Sequence, residues 1–247
     1  MTIEHTHDGR HVVFFDIDDT LYSSSFMIGS AMVERVHAYI VSLGLSDETA
    51  FNLRSQYYSQ YGLTLRGLRR HHGVDPLAYD KECDGSLPLE DMLSPDPCTR
   101  KLLEDIDRSK CRVWALTNAY RPHAERVLKI LKLRDQIEGI VYCDYEEKNE
   151  DLICKPEPAF YHRAMHQAGV NDPTKCLFVD DNLNNVEAAR GVGWIRSVHF
   201  REGLPETIEA RVTHTDKETI TKDGAPIINN LQQLREVWAD IFHQMEH

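Results

Sequence analysis

The sequence predicts an α/β fold, a parallel sheet with helices on both faces, interrupted early in the chain by a stretch of helices alone. Three observations predict it. Beyond residue 93, short apolar runs alternate with amphipathic segments, the rhythm of strand–helix units in a parallel sheet. Between residues 23 and 92 the periodicity is helical and no convincing strand occurs. A chain of 247 residues suits one α/β domain, or one carrying a smaller insertion. The apolar share of 41% is ample for a core, and no apolar run approaches the ~18–20 residues needed to cross a bilayer.

Each element has a local cause. Residues 11–16 form the first strand. Over 26–43, Ile28, Met32, Val33, Val36, Ile40 and Val41 recur at helical spacing, and Gly44 is the stop. A second helix spans 47–61, capped near Ser46 or Asp47. A third spans 64–72 and a fourth 76–83, with Gly85 and Pro88 marking the exit. The alternation then begins: helix 97–107, strand 113–116, helix 122–131 with Pro in its first turn, strand 139–142, helix 158–168, strand 176–179, helix 183–190 ending at Gly191, and strand 194–199. Residues 201–224 are polar, with 211–224 expected as a surface segment. A short strand at 225–229 and a closing helix at 231–245 complete the chain.

Composition narrows the function. Residues 1–11 are polar and lack the apolar stretch of a secretory signal. The six cysteines, Cys83, Cys98, Cys111, Cys143, Cys154 and Cys176, contain no C-x-x-C pair and read as reduced thiols of a cytoplasmic protein, the nucleus being the alternative. A formal net charge of −12 repels nucleic acid and anionic membrane over most of the surface. Neither is expected as a partner, and the chain is expected to act as a monomer or homodimer. An anionic substrate needs local cations or a metal.

The chemistry gathers where apolar runs end in polar groups. Val12-Val13-Phe14-Phe15 runs into Asp16-Ile17-Asp18. Val113-Trp114-Ala115-Leu116 runs into Thr117-Asn118. Lys155 follows Ile153, and Cys176-Leu177-Phe178-Val179 runs into Asp180-Asp181. In a parallel sheet these strand ends converge on one edge, where open α/β sheets bind ligands. Two acids as close as Asp16 and Asp18 repel, and burial worsens the conflict, which a divalent cation or a shared proton relieves. Asp16, Asp180 and Asp18 (through its backbone oxygen) offer hard oxygen ligands suited to Mg²⁺. Asp16 is then the nucleophile toward phosphorus, and Asp18 the acid and base, help typically worth ~10²–10⁴-fold. Lys155, Thr117 and backbone N–H groups would hold the phosphoryl oxygens, with Asn118 a further candidate catalytic residue. Asp181 orients its neighbours and Thr20 closes the turn after the acids. The histidines His5, His7, His11, His71 and His72 lack a metal-ligand pattern and read as surface.

This ordered set resembles the haloacid dehalogenase superfamily. Its D-x-D-x-T motif reads Asp16-Ile17-Asp18-Asp19-Thr20, its second motif Leu116-Thr117-Asn118, its third Lys155-Pro156-Glu157-Pro158, and its fourth Val179-Asp180-Asp181-Asn182. The resemblance covers residues 11–200. It implies a Rossmann-like core over 1–22 and 93–247, with an all-helical cap inserted over 23–92. An acid at Asp18 is the phosphatase and mutase pattern. The stretch Tyr57 to Leu68, with Ser86-Leu87-Pro88-Leu89, Thr117-Asn118-Ala119-Tyr120 and Tyr142-Cys143-Asp144-Tyr145, is similar to the fungal and plant pyrimidine 5′-nucleotidases. That implies an Mg²⁺-dependent phosphatase of nucleoside 5′-monophosphates, UMP and CMP favoured, working through an aspartyl-phosphate, with Tyr61 and Arg66 of the cap contacting the leaving group. The competing readings are a phosphatase of another small phosphomonoester (lysophosphatidate, nicotinamide mononucleotide or a sugar phosphate) and a catalytically silent protein-binding scaffold. Intact Asp16, Asp18, Lys155 and Asp180 argue against the scaffold.

Overall fold

In the computed structural model, residues 9–148, 151–203 and 220–243 are described. Expectations placed on residues 1–8, 204–219 and 244–247, including His5, His7, most of the 211–224 segment and the end of the closing helix, lie outside them.

Val12, Val13, Phe14 and Phe15 are fully buried in strand β1 (His11–Phe15). Alternate residues of a strand face opposite ways. Val13 and Phe15 accordingly enter one apolar cluster and Val12 and Phe14 another. The run is continuously apolar because helices cover both faces of the sheet. Burying each of these phenylalanines contributes about 1.5–3 kcal/mol, and Phe14 stacks on Trp194 with centroids 4.8 Å apart.

The other strands are β2 (Cys111–Leu116), β3 (Gly139–Val141), β4 (Cys176–Asp180), β5 (Arg196–Phe200) and β6 (Ile227–Ile228). Among the described residues they form a six-stranded sheet of order β3-β2-β1-β4-β5-β6, every pairing parallel. β1 lies between β2 and β4, and the order reverses there, which opens a crevice beyond the strand ends. Phe15 is in register with Ala115 and Val179, so the three strands finish level.

The segment between β1 and the rest of the sheet is helical: α1 (Ile28–Ser42), α2 (Asp47–Tyr61), α3 (Thr64–His72), α4 (Pro76–Glu82) and the single turn α5 (Leu89–Met92). α2 begins where Ser46 Oγ accepts the Thr49 N–H at 3.2 Å and ends where Gly62 turns left-handed at φ +74°. Val36, Ile40, Tyr57, Leu65, Leu68 and Tyr79 of these helices share one apolar cluster with Tyr120, Cys143, Tyr145, Leu152 and Cys154 from loops at the sheet edge. The remaining helices are α6 (Pro97–Glu104), α7 (Arg121–Ile130), α8 (Pro158–Gln167), α9 (Leu183–Gly191) and the short α10 (Leu234–Val237). α6 and α7 pack on one sheet face, α8 and α9 on the other. No helix among the described residues is long and apolar enough to cross a membrane.

Two sequence expectations change. The closing helix is broken into 3₁₀ turns at Leu231–Gln233 and Ala239–Ile241 on either side of α10. Helical spacing is present, but the Ile241 carbonyl accepts the Asp107 N–H at 2.8 Å and the His243 N–H reaches the Asp105 carbonyl at 3.0 Å, so contacts with the core replace helical hydrogen bonds. Trp194 precedes β5 instead of starting it, because its ring is buried among Phe14, Tyr161 and Phe178 on the sheet face.

Candidate active site

The level strand ends assemble the site. The Asp16 N–H donates to the Val179 carbonyl at 3.0 Å, which continues the ladder by one residue and sets Asp16 beside Asp180. The Thr117 N–H does the same with the Val141 carbonyl at 2.9 Å. Lys155 arrives on the loop before α8 and is buried. Its ammonium donates to Asp16 Oδ1 at 2.7 Å, Asp180 Oδ2 at 2.6 Å and the Leu116 carbonyl at 2.8 Å. All three of its N–H bonds are therefore engaged. A buried ammonium with two carboxylates satisfies the requirement that buried charge be paired.

Asn118 holds that lysine through its backbone. Its Nδ2 donates to the Lys155 carbonyl at 2.9 Å, and its Oδ1 accepts the Lys155 N–H at 2.7 Å. Thr117 Oγ1 accepts the Ala119 N–H at 3.0 Å. Thr20 Oγ1 makes a long contact with Asp16 Oδ2 at 3.4 Å. Asn185 Nδ2 donates to both oxygens of Asp180, at 3.0 and 3.1 Å, and the Asn182 N–H adds a bond at 2.8 Å.

The acids are crowded. Burial pushes the Asp16 carboxyl well above the carboxylate range; Lys155 opposes this, and Asp180 and Asp181 add to it. Desolvation, then the Asp180 charge, pushes Asp181 up to about 7. Asp16, Asp180 and Asp181 each present an oxygen within 4.8 Å of the others. Three hard oxygen donors with more negative charge than one lysine balances fit a small divalent cation. Asp181, expected only to orient its neighbours, thus joins the cluster, and the Asp18 carboxyl does not. Asp18 Oδ1 accepts the Tyr22 hydroxyl and His123 Nε2, both at 2.8 Å. Burial raises the Asp18 pKa, but the His123 charge and these hydrogen bonds outweigh it and leave it lowered. Burial opposes the charge on His123, yet Asp18 and then Asp84 raise its pKa to about 9.

His123 was not legible as a site residue, although one signal was present. It is a polar side chain within the buried stripe of α7, with Ala124, Val127 and Leu128. Tyr61 and Arg66, expected at the leaving group, are engaged elsewhere. The Tyr61 hydroxyl meets His71 Nε2 at 2.8 Å. Arg66 pairs with Glu157 and donates to the Tyr61 carbonyl at 2.8 Å, which ties α2 to the loop carrying Lys155. From the helical segment, Tyr58 lies beside the carboxylates. Its hydroxyl accepts from Asn182 Nδ2 at 3.4 Å, and burial followed by the Asp181 charge raises its pKa. A cleft of about 430 Å³ opens beside Asp19, lined by Ser24, Met27, Ser30, Val33 and Glu34 among others.

Comparison with known proteins agrees with this geometry. A family model described as haloacid dehalogenase-like hydrolase matches residues 11–193. Phosphate metabolism protein 8 of Saccharomyces cerevisiae is 36% identical over 239 residues, spanning 92% of this chain and 74% of the yeast protein. Among solved structures, CbbY from Rhodobacter sphaeroides in complex with phosphate superposes with a TM-score of 0.61 at 17% identity, over 91% of this chain and 96% of that one. A HAD phosphatase from Thermococcus onnurineus gives 0.58 at 20% identity, over 92% and 97%. At these identities the two structures establish the fold.

Proposed function

Because the chain belongs to the haloacid dehalogenase-like hydrolase family, we propose that it is a phosphatase of nucleoside 5′-monophosphates, with UMP and CMP favoured, and that residues 23–92 act as the cap that selects the leaving group. The observation carrying the phosphatase reading is the convergence of Asp16, Lys155, Asp180 and Asp181 at one strand-end edge. The nucleotide preference rests on the likeness of the Tyr57 to Leu68 stretch and its companion blocks to pyrimidine 5′-nucleotidases.

Asp16 attacks phosphorus: an Asp16 O–P bond forms and the bond to the leaving oxygen breaks. Asp18 takes up a proton from solvent as the substrate binds and gives it to that oxygen. The arriving phosphate is a like charge that raises the proton affinity of Asp18. In the second step Asp18 takes a proton from water, whose oxygen attacks phosphorus and releases Asp16. The backbone N–H groups after β1 and β2 hold the phosphoryl oxygens as charge develops, and the Lys155 ammonium, itself bound to Asp16 and Asp180, offsets that charge through space. Asn118 acts by fixing Lys155. Mg²⁺ would be held by Asp16, Asp180 and Asp181, with the Asp18 backbone oxygen, and would offset phosphate charge. The cleft beside Asp19 falls within the range of small-molecule sites, and Tyr58, whose hydroxyl lies against Asn182 next to the carboxylates, is the cap residue set to meet the substrate. All six cysteines are free thiols, in keeping with a cytoplasmic enzyme.

The test is a panel of UMP, CMP, AMP, nicotinamide mononucleotide, lysophosphatidate, sugar phosphates and p-nitrophenyl phosphate, each with and without Mg²⁺, scored by kcat/KM. Highest values for UMP and CMP are expected. A clear preference for a non-nucleotide substrate refutes the nucleotidase assignment, and no turnover of any ester refutes the phosphatase.

A further inference from the structure

His123 occupies a position where an apolar side chain would pack. Its side chain is 4% exposed, and it projects from the buried stripe of α7. Its two nitrogens point at two acids. Nε2 donates to Asp18 Oδ1 at 2.8 Å, and Nδ1 faces Asp84 Oδ1 at 3.7 Å without a closer partner. Asp84 is itself buried, in the 3₁₀ turn that follows α4. A buried imidazole whose second nitrogen has no close acceptor costs stability, a cost that filling space would not require.

The consequence falls on Asp18. The Tyr22 hydroxyl and His123 Nε2 converge on the same oxygen, Oδ1, each at 2.8 Å. Two donors on one oxygen fix the plane of the carboxyl and leave Oδ2 as the oxygen open to a leaving group. Asp18 is only partly buried, its side chain 34% exposed, so without these donors its carboxyl would rotate freely. Proton transfer in a displacement depends on such placement, because reacting atoms must already be oriented.

We infer that His123 is a positioning residue, holding the Asp18 carboxyl from behind so that Oδ2 is presented to the leaving-group oxygen, with the Asp84 carboxylate facing the other side of the imidazole. This rests on the reading of Asp18 as the proton donor. The contact joins the helical segment, through Asp84, to the first strand's acid, so the proton donor is set partly by the position of the segment that closes over the substrate.

The experiment compares two leaving groups: UMP, or whichever nucleotide of the panel is fastest, whose alkoxide needs a proton, and p-nitrophenyl phosphate, whose phenolate leaves without one. His123→Leu is expected to lower kcat on the nucleotide at least about tenfold more than on the aryl ester. His123→Gln, whose amide N–H can stand near the place of Nε2, should restore most of that difference. Parallel losses on both substrates in His123→Leu, or a glutamine variant no better than leucine, overturn the inference. Asp18→Asn is measured alongside. If it shows no leaving-group bias, the assignment of Asp18 fails; if it does and His123→Leu does not, only the positioning role fails. Should His123→Leu lack a cooperative urea transition, Gln is compared with the shorter His123→Asn. Gln must then exceed Asn on the nucleotide and equal it on the aryl ester, and equal rates on both overturn the inference.

Discussion

Gly62 is where helix α2 meets the loop that carries Lys155, and replacing it by alanine tests that contact. Two costs add. At φ +74° the residue is left-handed, which for an L side chain costs roughly 1–2 kcal/mol. An added Cβ would also stand 2.8 Å from the Lys155 carbonyl oxygen and 3.0 Å from Pro156 Cδ, where ordinary contact begins at 3.4 Å. Neither neighbour is the end of a flexible chain, so α2 or the loop must shift by about 0.6 Å, and such overpacking costs about 1–3 kcal/mol. Gly62→Ala should therefore lose about 2–5 kcal/mol in urea denaturation. Gly44→Ala isolates the first cost, since Gly44 is left-handed at φ +88° with nothing within 4 Å. It should lose only about 1–2 kcal/mol and keep its activity. The shift in Gly62→Ala also strains the Asn118 bond to the Lys155 carbonyl, so kcat on p-nitrophenyl phosphate should fall about tenfold or more. Equal stability losses for the two variants, with kcat unchanged in both, would refute the docking of α2 on the Lys155 loop.

Asp16→Asn should abolish turnover while keeping a cooperative urea transition; more than trace Mg²⁺-dependent hydrolysis would remove Asp16 as nucleophile. EDTA should stop catalysis and Mg²⁺ restore it, whereas Ca²⁺, with longer and looser coordination, should restore little; full activity in excess EDTA removes the metal. Arg66→Ala should lower kcat/KM for UMP and p-nitrophenyl phosphate together and cost about 2 kcal/mol, because Arg66 binds Glu157 and the Tyr61 carbonyl; a loss confined to UMP would make it a substrate contact instead. Burial pushes the Asp84 carboxyl up to about 6, so the folded state binds the extra proton between about pH 4 and 6 and loses stability as pH rises through that window. Asp84→Asn, which mimics the protonated acid, should match wild type near pH 4 and exceed it by up to about 3 kcal/mol at pH 7.5; equal stability at pH 7.5 would show that the charge on Asp84 carries no penalty.

What the sequence alone determined lies within one or two turns of the chain. α2 and α3 coincide with the expected 47–61 and 64–72, because the Ser46 cap and the left-handed Gly62 and Gly73 that end the two helices act locally. The β1 run and the polar groups at the strand ends were legible for the same reason, and so was the gathering of Asp16, Lys155 and Asp180, since a parallel sheet brings strand ends to one edge. The tertiary structure decided what depends on distant partners. His123 meets Asp18 across 105 residues, an encounter that exists only because β1 and β2 are neighbours. Arg66 and Tyr61 looked available in the sequence, but the docking of α2 and α3 against the Lys155 loop gave Arg66 the Glu157 carboxylate to bind and left Tyr58 beside the carboxylates. The closing segment carries helical spacing, yet Trp238, Ile241 and Phe242 are all buried against the core, and the hydrogen bonds formed there outcompete those of a continuous helix. Periodicity and caps act over about four residues, while the choice among partners for a polar side chain is made by whatever the fold brings within 3 Å of it.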